Sequence, residues 1–315
     1  MSKNILVTGV CGDIGQSIIK CIRDIDKGHR VIATDTQALA AKASKVDRFY
    51  QVPLAKQEEE YLGCIKKIVL ENDIQYIFPS TEAEIGFFDS FCSQFGQSVK
   101  IFINEHGILH DFLDKYNTVV FLERNKLPFP KTFLLEDYAG GLDFPFILKQ
   151  RRGSGGKGLM PIEDREELAF FKKRKKDFIV QELLGTIDEE YTAAVFSDGV
   201  NIHSIAFKRL LGFDNLSKVM ELAGDEAIKD LMIRIAKAAS LKGVINVQMR
   251  KTARGYVPFE INPRLSSTVY VRHRFGFCDL KWWIDYREGR SIEYYQKYKK
   301  GIAIRVLDEA FFDLA

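Results

Sequence analysis

Asn246-Val247-Gln248-Met249-Arg250-Lys251-Thr252-Ala253-Arg254-Gly255-Tyr256-Val257-Pro258-Phe259-Glu260-Ile261-Asn262-Pro263-Arg264 reads as two strands joined by a tight turn. Side chains two apart on a strand share a face. Asn246 and Gln248 therefore point one way, and Glu260 and Asn262 likewise share a face. A three-residue loop, Ala253-Arg254-Gly255, with Gly255 left-handed, pairs residue 252 with 256. Counting back along both strands sets Gln248 opposite Glu260, on the same face, while Val247 and Ile261 turn to the other side and a core. Magnesium takes carboxylates, amide carbonyls, phosphates and water as ligands. Gln248, Glu260 and Asn262 are thus candidate metal ligands, for two Mg2+ ions (or Mn2+) when phosphates complete the shell. Arg264, just beyond, suits neutralisation of a transferring phosphoryl group. The competing reading is the polar outer face of an ordinary hairpin.

Upstream, the stretch from Pro145 onward is rich in strand-like runs: 146–149, 178–181, 191–196 and 202–211, interrupted by helical patterns at 165–173 and 226–241. Strands and helices in blocks indicate α+β texture. Lys149 ends an otherwise apolar strand just before Gly153-Ser154-Gly155-Gly156-Lys157-Gly158. That cluster differs from a P-loop, because Gly158 follows Lys157 where a magnesium-binding hydroxyl would stand. Lying between two strands, it suits a lid whose backbone N–H groups cover phosphates; a plain hairpin loop needs fewer glycines. Lys208 and Arg209 are expected to be exposed strand residues, with contact to phosphate or acceptor as the alternative. Further back, Asp114 caps a helix from Lys115 to Asn125 that Pro128 and Pro130 end.

The first hundred residues alternate strand and helix: 4–7, 14–25, 31–33, 61–70, 76–78, 84–95 and 100–103. This rhythm gives a mostly parallel sheet covered by helices, a Rossmann-like α/β domain. Gly9-Val10-Cys11-Gly12-Asp13-Ile14-Gly15 follows its first strand, and Asp35 ends the second. The pattern admits two readings: an NAD(P) site of the dehydrogenase or epimerase kind, or a tight βα turn. The Tyr-x-x-x-Lys pair such enzymes use occurs only at Tyr295 and Lys299, near the C-terminus rather than in mid-chain.

Composition narrows the field. The 315 residues are 46% hydrophobic and 28% charged, with a net charge of +3, ordinary for a globular chain and too small to argue for nucleic acid. The basic run from Lys172 to Lys176 reads as a solvated helix end. Five cysteines, at 11, 21, 64, 92 and 278, show no zinc spacing, and their odd, scattered count suggests a reducing cytoplasmic home. No apolar run is long enough for a membrane span, and no Ser-His-Asp or Cys-His arrangement supplies a nucleophile.

Taken together, these motifs resemble the ATP-grasp superfamily, and within it one ATP-grasp unit of the carbamoyl phosphate synthetase large subunit, over nearly the whole chain. The resemblance implies an N-terminal Rossmann-like preATP-grasp domain (1–110) that binds no NAD, a small lid domain (111–184) and a larger catalytic domain (185–315). It implies that Lys115 contacts phosphate, that Lys149 holds the α- and β-phosphates, and that Gly153, Ser154, Gly155 and Gly156 belong to the phosphate-covering loop. Gln181, Glu182, Leu183 and Leu184 match the adenine hinge, and Glu190 the ribose-binding acid. Gln248, Glu260 and Asn262 match the metal ligands, and Arg264 the arginine near the transferred phosphate. Gln150 departs from the family's usual proline after the strand lysine, and 206–222 aligns with no one subfamily. The implied activity is an ATP- and magnesium-dependent ligase joining a small-molecule carboxylate to an amine through an acylphosphate, with release of ADP and phosphate. A homodimer is the default assembly. A non-catalytic nucleotide-binding protein on the same fold is the remaining alternative.

Overall fold

The computed structural model describes residues 2–38, 45–153, 158–212, 215–294, 298 and 300–306. Packing divides the chain into two units, Met1–Ile103 with Arg264–Ala315, and Asn104–Pro263.

The first unit is built on a parallel sheet of order β3-β2-β1-β4-β5, comprising β1 (Asn4–Thr8), β2 (Arg30–Asp35), β3 (Arg48–Gln51), β4 (Tyr76–Phe78) and β5 (Lys100–Ile101). Ile5 faces Val31 and Tyr76, and Leu6 faces Ile32 and Ile77. Such near-continuous apolar runs are what a sheet covered on both faces requires. Helix Asp13–Ile25 buries Ile18, Ile19, Cys21 and Ile22, a helical stripe. Helix Glu58–Glu71 brings Tyr61, Ile65 and Ile68 to a core shared with Leu6, Ile32 and Ile77. Helix Glu82–Phe91 starts with a complete capping box between Thr81 and Glu84.

The glycine turn has a packing explanation. Gly9 has φ +63°, and a Cβ there would lie 2.5 Å from Ser80 Oγ and 2.9 Å from Thr81 Cγ2. A Cβ on Gly15 would meet Gly9 O and Val10 Cα at 2.7 Å, so its absence lets the helix close onto the turn. Asp35 accepts from the backbone N–H of Cys11 (2.9 Å) and of Gln37 (3.1 Å), bracing the turn. Asp13 occupies the first turn of the helix, where its charge opposes a pyrophosphate. Tyr295 and Lys299 lie outside the described residues.

The returning segment completes this unit. Helices Val269–Phe275 and Asp279–Arg287 pack against helix Asp13–Ile25. Arg272, 1% exposed, donates to Asp279 Oδ2 through Nε (2.9 Å) and Nη2 (2.6 Å), and to Ser266 and Thr268 through Nη1. The resemblance implies that 264–315 continues the catalytic domain, whereas these two helices group with the first unit and carry apolar faces of their own: Leu280, Trp282, Trp283 and Ile284 are all buried.

The second unit holds two sheets. The smaller has order β6-β9-β7-β8, from β6 (Thr132–Leu134), β7 (Phe146–Gln150), β8 (Met160–Ile162) and β9 (Phe178–Glu182), all neighbours antiparallel. Phe146, Leu148, Ile162 and Val180 form its core. The larger contains β10 (Glu190–Asp198), β11 (Ile202–Leu211), β12 (Ser217–Ala223), β13 (Lys242–Thr252) and β14 (Gly255–Asn262), running β14-β13-β10-β11-β12 with antiparallel neighbours. One face packs Ala193, Val195, Val247 and Ile261 against Ile228, Leu231, Met232 and Ile235 of helix Glu226–Ala238. The opposite face carries the polar side chains of Thr192, Asn246, Gln248, Glu260 and Asn262 beside the apolar Phe207.

Candidate active site

That polar face carries the residues singled out from the hairpin. Gln248 stands opposite Glu260, and Asn246 opposite Asn262, as the count along the strands requires. The route to that register differs from expectation. Thr252 pairs with Gly255 across a two-residue turn, Ala253-Arg254, with Gly255 at φ +88°. The register then shifts by one between Gln248 and Met249, where Phe259 is the extra residue of a β-bulge. The shorter turn and the bulge cancel, and the facing pairs come out unchanged. Asn262 Nδ2 donates to Glu260 Oε1 (3.2 Å), and Thr192 Oγ1 donates to Asn246 Oδ1 (3.2 Å).

The bulge has a second consequence. Lys149, 6% exposed at the end of β7, donates through Nζ to the backbone carbonyl of Phe259 (3.2 Å) and to Gln181 Oε1 (2.8 Å). Gln181 in turn donates to Thr132 Oγ1 (2.9 Å), which fixes which end of its amide meets the lysine. Burial pulls the Lys149 ammonium down to about 8; Glu260 works against that fall, and Lys115 and Arg250 add to it. A buried ammonium held by two neutral oxygens, with the Glu260 carboxylate in its field, is a cation prepared for an anionic ligand.

Beside it lies a small cleft walled by Ile147, Leu159, Leu183, Leu184 and Phe259, with Lys149, Gln181, Glu182 and Arg250 as its polar members. An apolar slot with convergent polar groups suits a flat heterocycle. Leu183 is 43% exposed and Leu184 is buried. Glu182 is held by the Lys131 N–H (2.8 Å) and by Arg254 Nη2 (2.6 Å). Lys115, at the start of helix Lys115–Arg124, reaches the Gly153 carbonyl. Asp114 caps that helix and is gripped by Arg151 through Nε (3.2 Å) and Nη2 (2.7 Å), tying the helix to the strand that leads into the glycine loop. Gly153 has φ +114°; Ser154, Gly155 and Gly156 lie outside the described residues.

Two positions have partners that the sequence does not show. Glu190, 2% exposed, has both carboxylate oxygens engaged: Oε1 by Arg209 Nε (3.0 Å) and Nη2 (2.6 Å), Oε2 by Arg250 Nε (3.0 Å). Arg209, expected at the surface, is 8% exposed and also donates to Gln248 Oε1 (2.8 Å). Its neighbour Lys208 does reach outward, to Glu189 (2.6 Å). Arg250, Thr132 and the Phe259 carbonyl are site members that no sequence motif marks, and Arg209 reaches Gln248 rather than solvent. The strand alternation of 202–211 carried the one available signal, since Phe207 and Arg209 share a face. Arg264 belongs to the first unit, where its Nη2 lies 3.4 Å from Glu82 Oε1.

Among the described residues no cluster of three His, Cys, Asp or Glu side chains stands ready for a metal. The donor set of Gln248, Glu260 and Asn262 is nevertheless of the right kind for magnesium: oxygen only, with one formal negative charge. So weak a set fits an ion that arrives with a polyphosphate rather than a resident one.

Comparison with known proteins agrees with this architecture. Residues 5–102 match the sequence model of the PylC-like N-terminal domain, and residues 174–310 that of the ATP-grasp family described as in the biosynthetic pathway with Ter operon. The carbamoyl phosphate synthase large chain of Clostridium botulinum (strain Eklund 17B / Type B) is 22% identical over 289 residues, covering 80% of this chain and 25% of the relative. The chain thus spans about a quarter of the length of the curated relatives it matches. The biotin carboxylase domain of Hydrogenobacter thermophilus 2-oxoglutarate carboxylase, solved with MgADP, ADP and bicarbonate, superimposes with a TM-score of 0.74 at 18% identity, covering 96% of this chain and 73% of that one. The L-amino acid ligase of Bacillus licheniformis gives 0.69 at 17% identity, covering 91% and 74%. The chain has the ATP-grasp fold, and its residues 5–102 are similar to the PylC-like N-terminal domain.

Proposed function

We propose that this chain is an ATP- and magnesium-dependent ligase that joins a carboxylate to an amine through an acylphosphate, releasing ADP and phosphate. The observation that carries the reading is the meeting of Lys149 with the Phe259 carbonyl, which sets a buried cation against the strand bearing Glu260, beside an apolar cleft.

In this reading the cleft takes the adenine against Ile147, Leu159 and Leu184, with the backbone of residues 182–184 along its edge. Lys149 neutralises the α- and β-phosphates and Lys115 contacts phosphate from the glycine-loop side. Residues 153–158 exclude water while the acylphosphate lives. Gln248, Glu260 and Asn262 would hold magnesium, which supplies charge neutralisation at the phosphates. Arg264 stabilises the charge developing on the transferred group. The carboxylate attacks the γ-phosphate, ADP leaves, and the amine then displaces phosphate, so no side-chain nucleophile is needed. Free thiols at all five cysteines support a reducing compartment.

The test is ATP consumption with ADP, AMP and phosphate scored separately, magnesium present, and pooled carboxylates and amines supplied to wild type and Glu260→Ala. ADP and phosphate release that requires both pools and disappears in the variant supports ligation. Release of AMP would refute the acylphosphate route. Binding of ATP without turnover would favour a nucleotide sensor, and tight NAD(P) binding without ATP binding would return the site to the glycine turn.

A further inference from the structure

The Glu190 network raises a question that the proposed chemistry leaves open. Glu190 and Arg209 are buried together on this face of the larger sheet, with Arg250 half-buried beside them, and isolating charge from water is costly unless every partner is in place. The register assembles them: Glu190 faces Arg250 across β10 and β13, and Tyr191 faces Lys208, which brings Arg209 beside Glu190. With one oxygen taken by Arg209 and the other by Arg250, Glu190 is committed inside the protein. The two arginines then diverge. Arg250 Nη1 donates to the Leu184 carbonyl (2.9 Å) at the cleft, while Arg209 Nη2 donates to Gln248 Oε1 (2.8 Å).

A glutamine amide is nearly symmetric in shape, and rotation exchanges its oxygen for its NH2 group. Only the oxygen can ligate a cation. A guanidinium donor tolerates only the oxygen, so Arg209 settles the amide's orientation, and Glu190 settles that of Arg209. We infer that Glu190 and Arg209 are positioning residues that hold the Gln248 amide oxygen on the face shared with Glu260 and Asn262. This rests on the metal-dependent ligase reading.

The experiment measures Mn2+ binding by electron paramagnetic resonance in the presence of AMP-PNP, for wild type, Arg209→Met, Arg209→Lys and the double variant Arg209→Met with Glu190→Gln. Groups that orient a metal ligand are worth about 10- to 100-fold in metal affinity, and a loss of that size is expected in Arg209→Met. The double variant removes two opposite charges together, so an equal loss there separates positioning from misfolding around an unpaired carboxylate. Lysine keeps the charge but lacks the fork that spans Glu190 and Gln248; full rescue by Arg209→Lys overturns the inference. Wild type that binds neither Mn2+ nor AMP-PNP would defeat the ligase reading itself, an outcome distinct from that reversal.

Discussion

Lys149 holds the strongest functional tension at the scale of single residues. Its ammonium is buried, and its pKa of about 8 lies well below the ordinary lysine value. The charged form is the one that serves a polyphosphate, so affinity for AMP-PNP in the presence of magnesium should fall by about tenfold per pH unit above roughly 8. Calorimetric titration across pH 6.5–9.5 reads this directly. Lys149→Arg stays charged throughout, and its affinity, lower at neutral pH, should show no such limb. Stability moves the other way. Between about 8 and the ordinary lysine value, the unfolded chain carries a proton that the folded chain lacks, so stability rises with pH across that window. Lys149→Met should erase the slope, which chemical denaturation at stepped pH would detect; a slope that persists would assign it to another group. Lys149 was legible in the sequence because a lysine ending an apolar strand is out of pattern. Glu190 and Arg209 were not legible in their actual surroundings. Their pairing depends on the register of the β10–β11 hairpin and on β13, which β12 and helix Glu226–Ala238 separate from it in sequence, so no single local pattern encodes the cluster.

At the scale of elements, the bulge at Phe259 links the strand of Glu260 to the strand of Lys149. Removing Phe259 would leave Pro258 and Glu260 adjacent, restoring regular alternation with Met249 and Gln248 still opposite them. The deletion variant should therefore fold, yet Lys149 would lose one of its two acceptors. A buried charged group deprived of a hydrogen bond costs about 1.5–3 kcal/mol, and its pKa should fall further. The expected result is a thermal midpoint modestly below wild type and an alkaline limb for AMP-PNP binding displaced below pH 8. An unmoved limb would show that the Phe259 carbonyl does not matter to Lys149. The bulge itself was hidden in the sequence, since Phe259 is an ordinary strand residue; the facing of Gln248 and Glu260 was read correctly because the shorter turn and the bulge compensate. A similar dependence holds at helix Lys115–Arg124. Asp114 caps helix Lys115–Arg124 and grips Arg151. Asp114→Ala should cost about 1–2 kcal/mol through the lost cap alone, with weaker AMP-PNP binding because Lys115 loses its anchor. Asp114→Asn restores the cap acceptor without the charge, so recovery of stability without recovery of affinity would separate the two duties. The short strands β3, β6, β8 and β12 escaped the sequence reading for a common reason: they are brief or polar, and cross-strand neighbours rather than their own pattern hold them in place.

For the molecule as a whole, the chain enters the second unit once, at Asn104, and leaves it once, at Pro263. Each unit has its own apolar core, so the two need not share one unfolding transition. The first unit is closed by its returning segment, and the ion pair of Arg272 with Asp279 sits at the heart of that closure, each side chain 1% exposed. Asp279→Ala strands a buried guanidinium, and breaking such a pair from one side costs about 3–5 kcal/mol. The damage should be confined. Amide hydrogen exchange read by mass spectrometry is expected to rise in peptides from 2–38, 45–103 and 264–294, while peptides spanning β7, β9, β13 and β14 keep wild-type protection. Binding of AMP-PNP with magnesium should slow exchange in those second-unit strands in wild type and variant alike, because the residues that line the cleft all lie between 104 and 263. Arg264 is the informative exception. It opens the returning segment two residues after Asn262, so loosening the first unit releases the arginine assigned to the transferred phosphate while leaving the nucleotide residues intact. Asp279→Ala should therefore bind AMP-PNP with near wild-type affinity and lose turnover of ATP. Equal loss of both would mean that the two units unfold together and that nucleotide binding is not a property of the second unit alone.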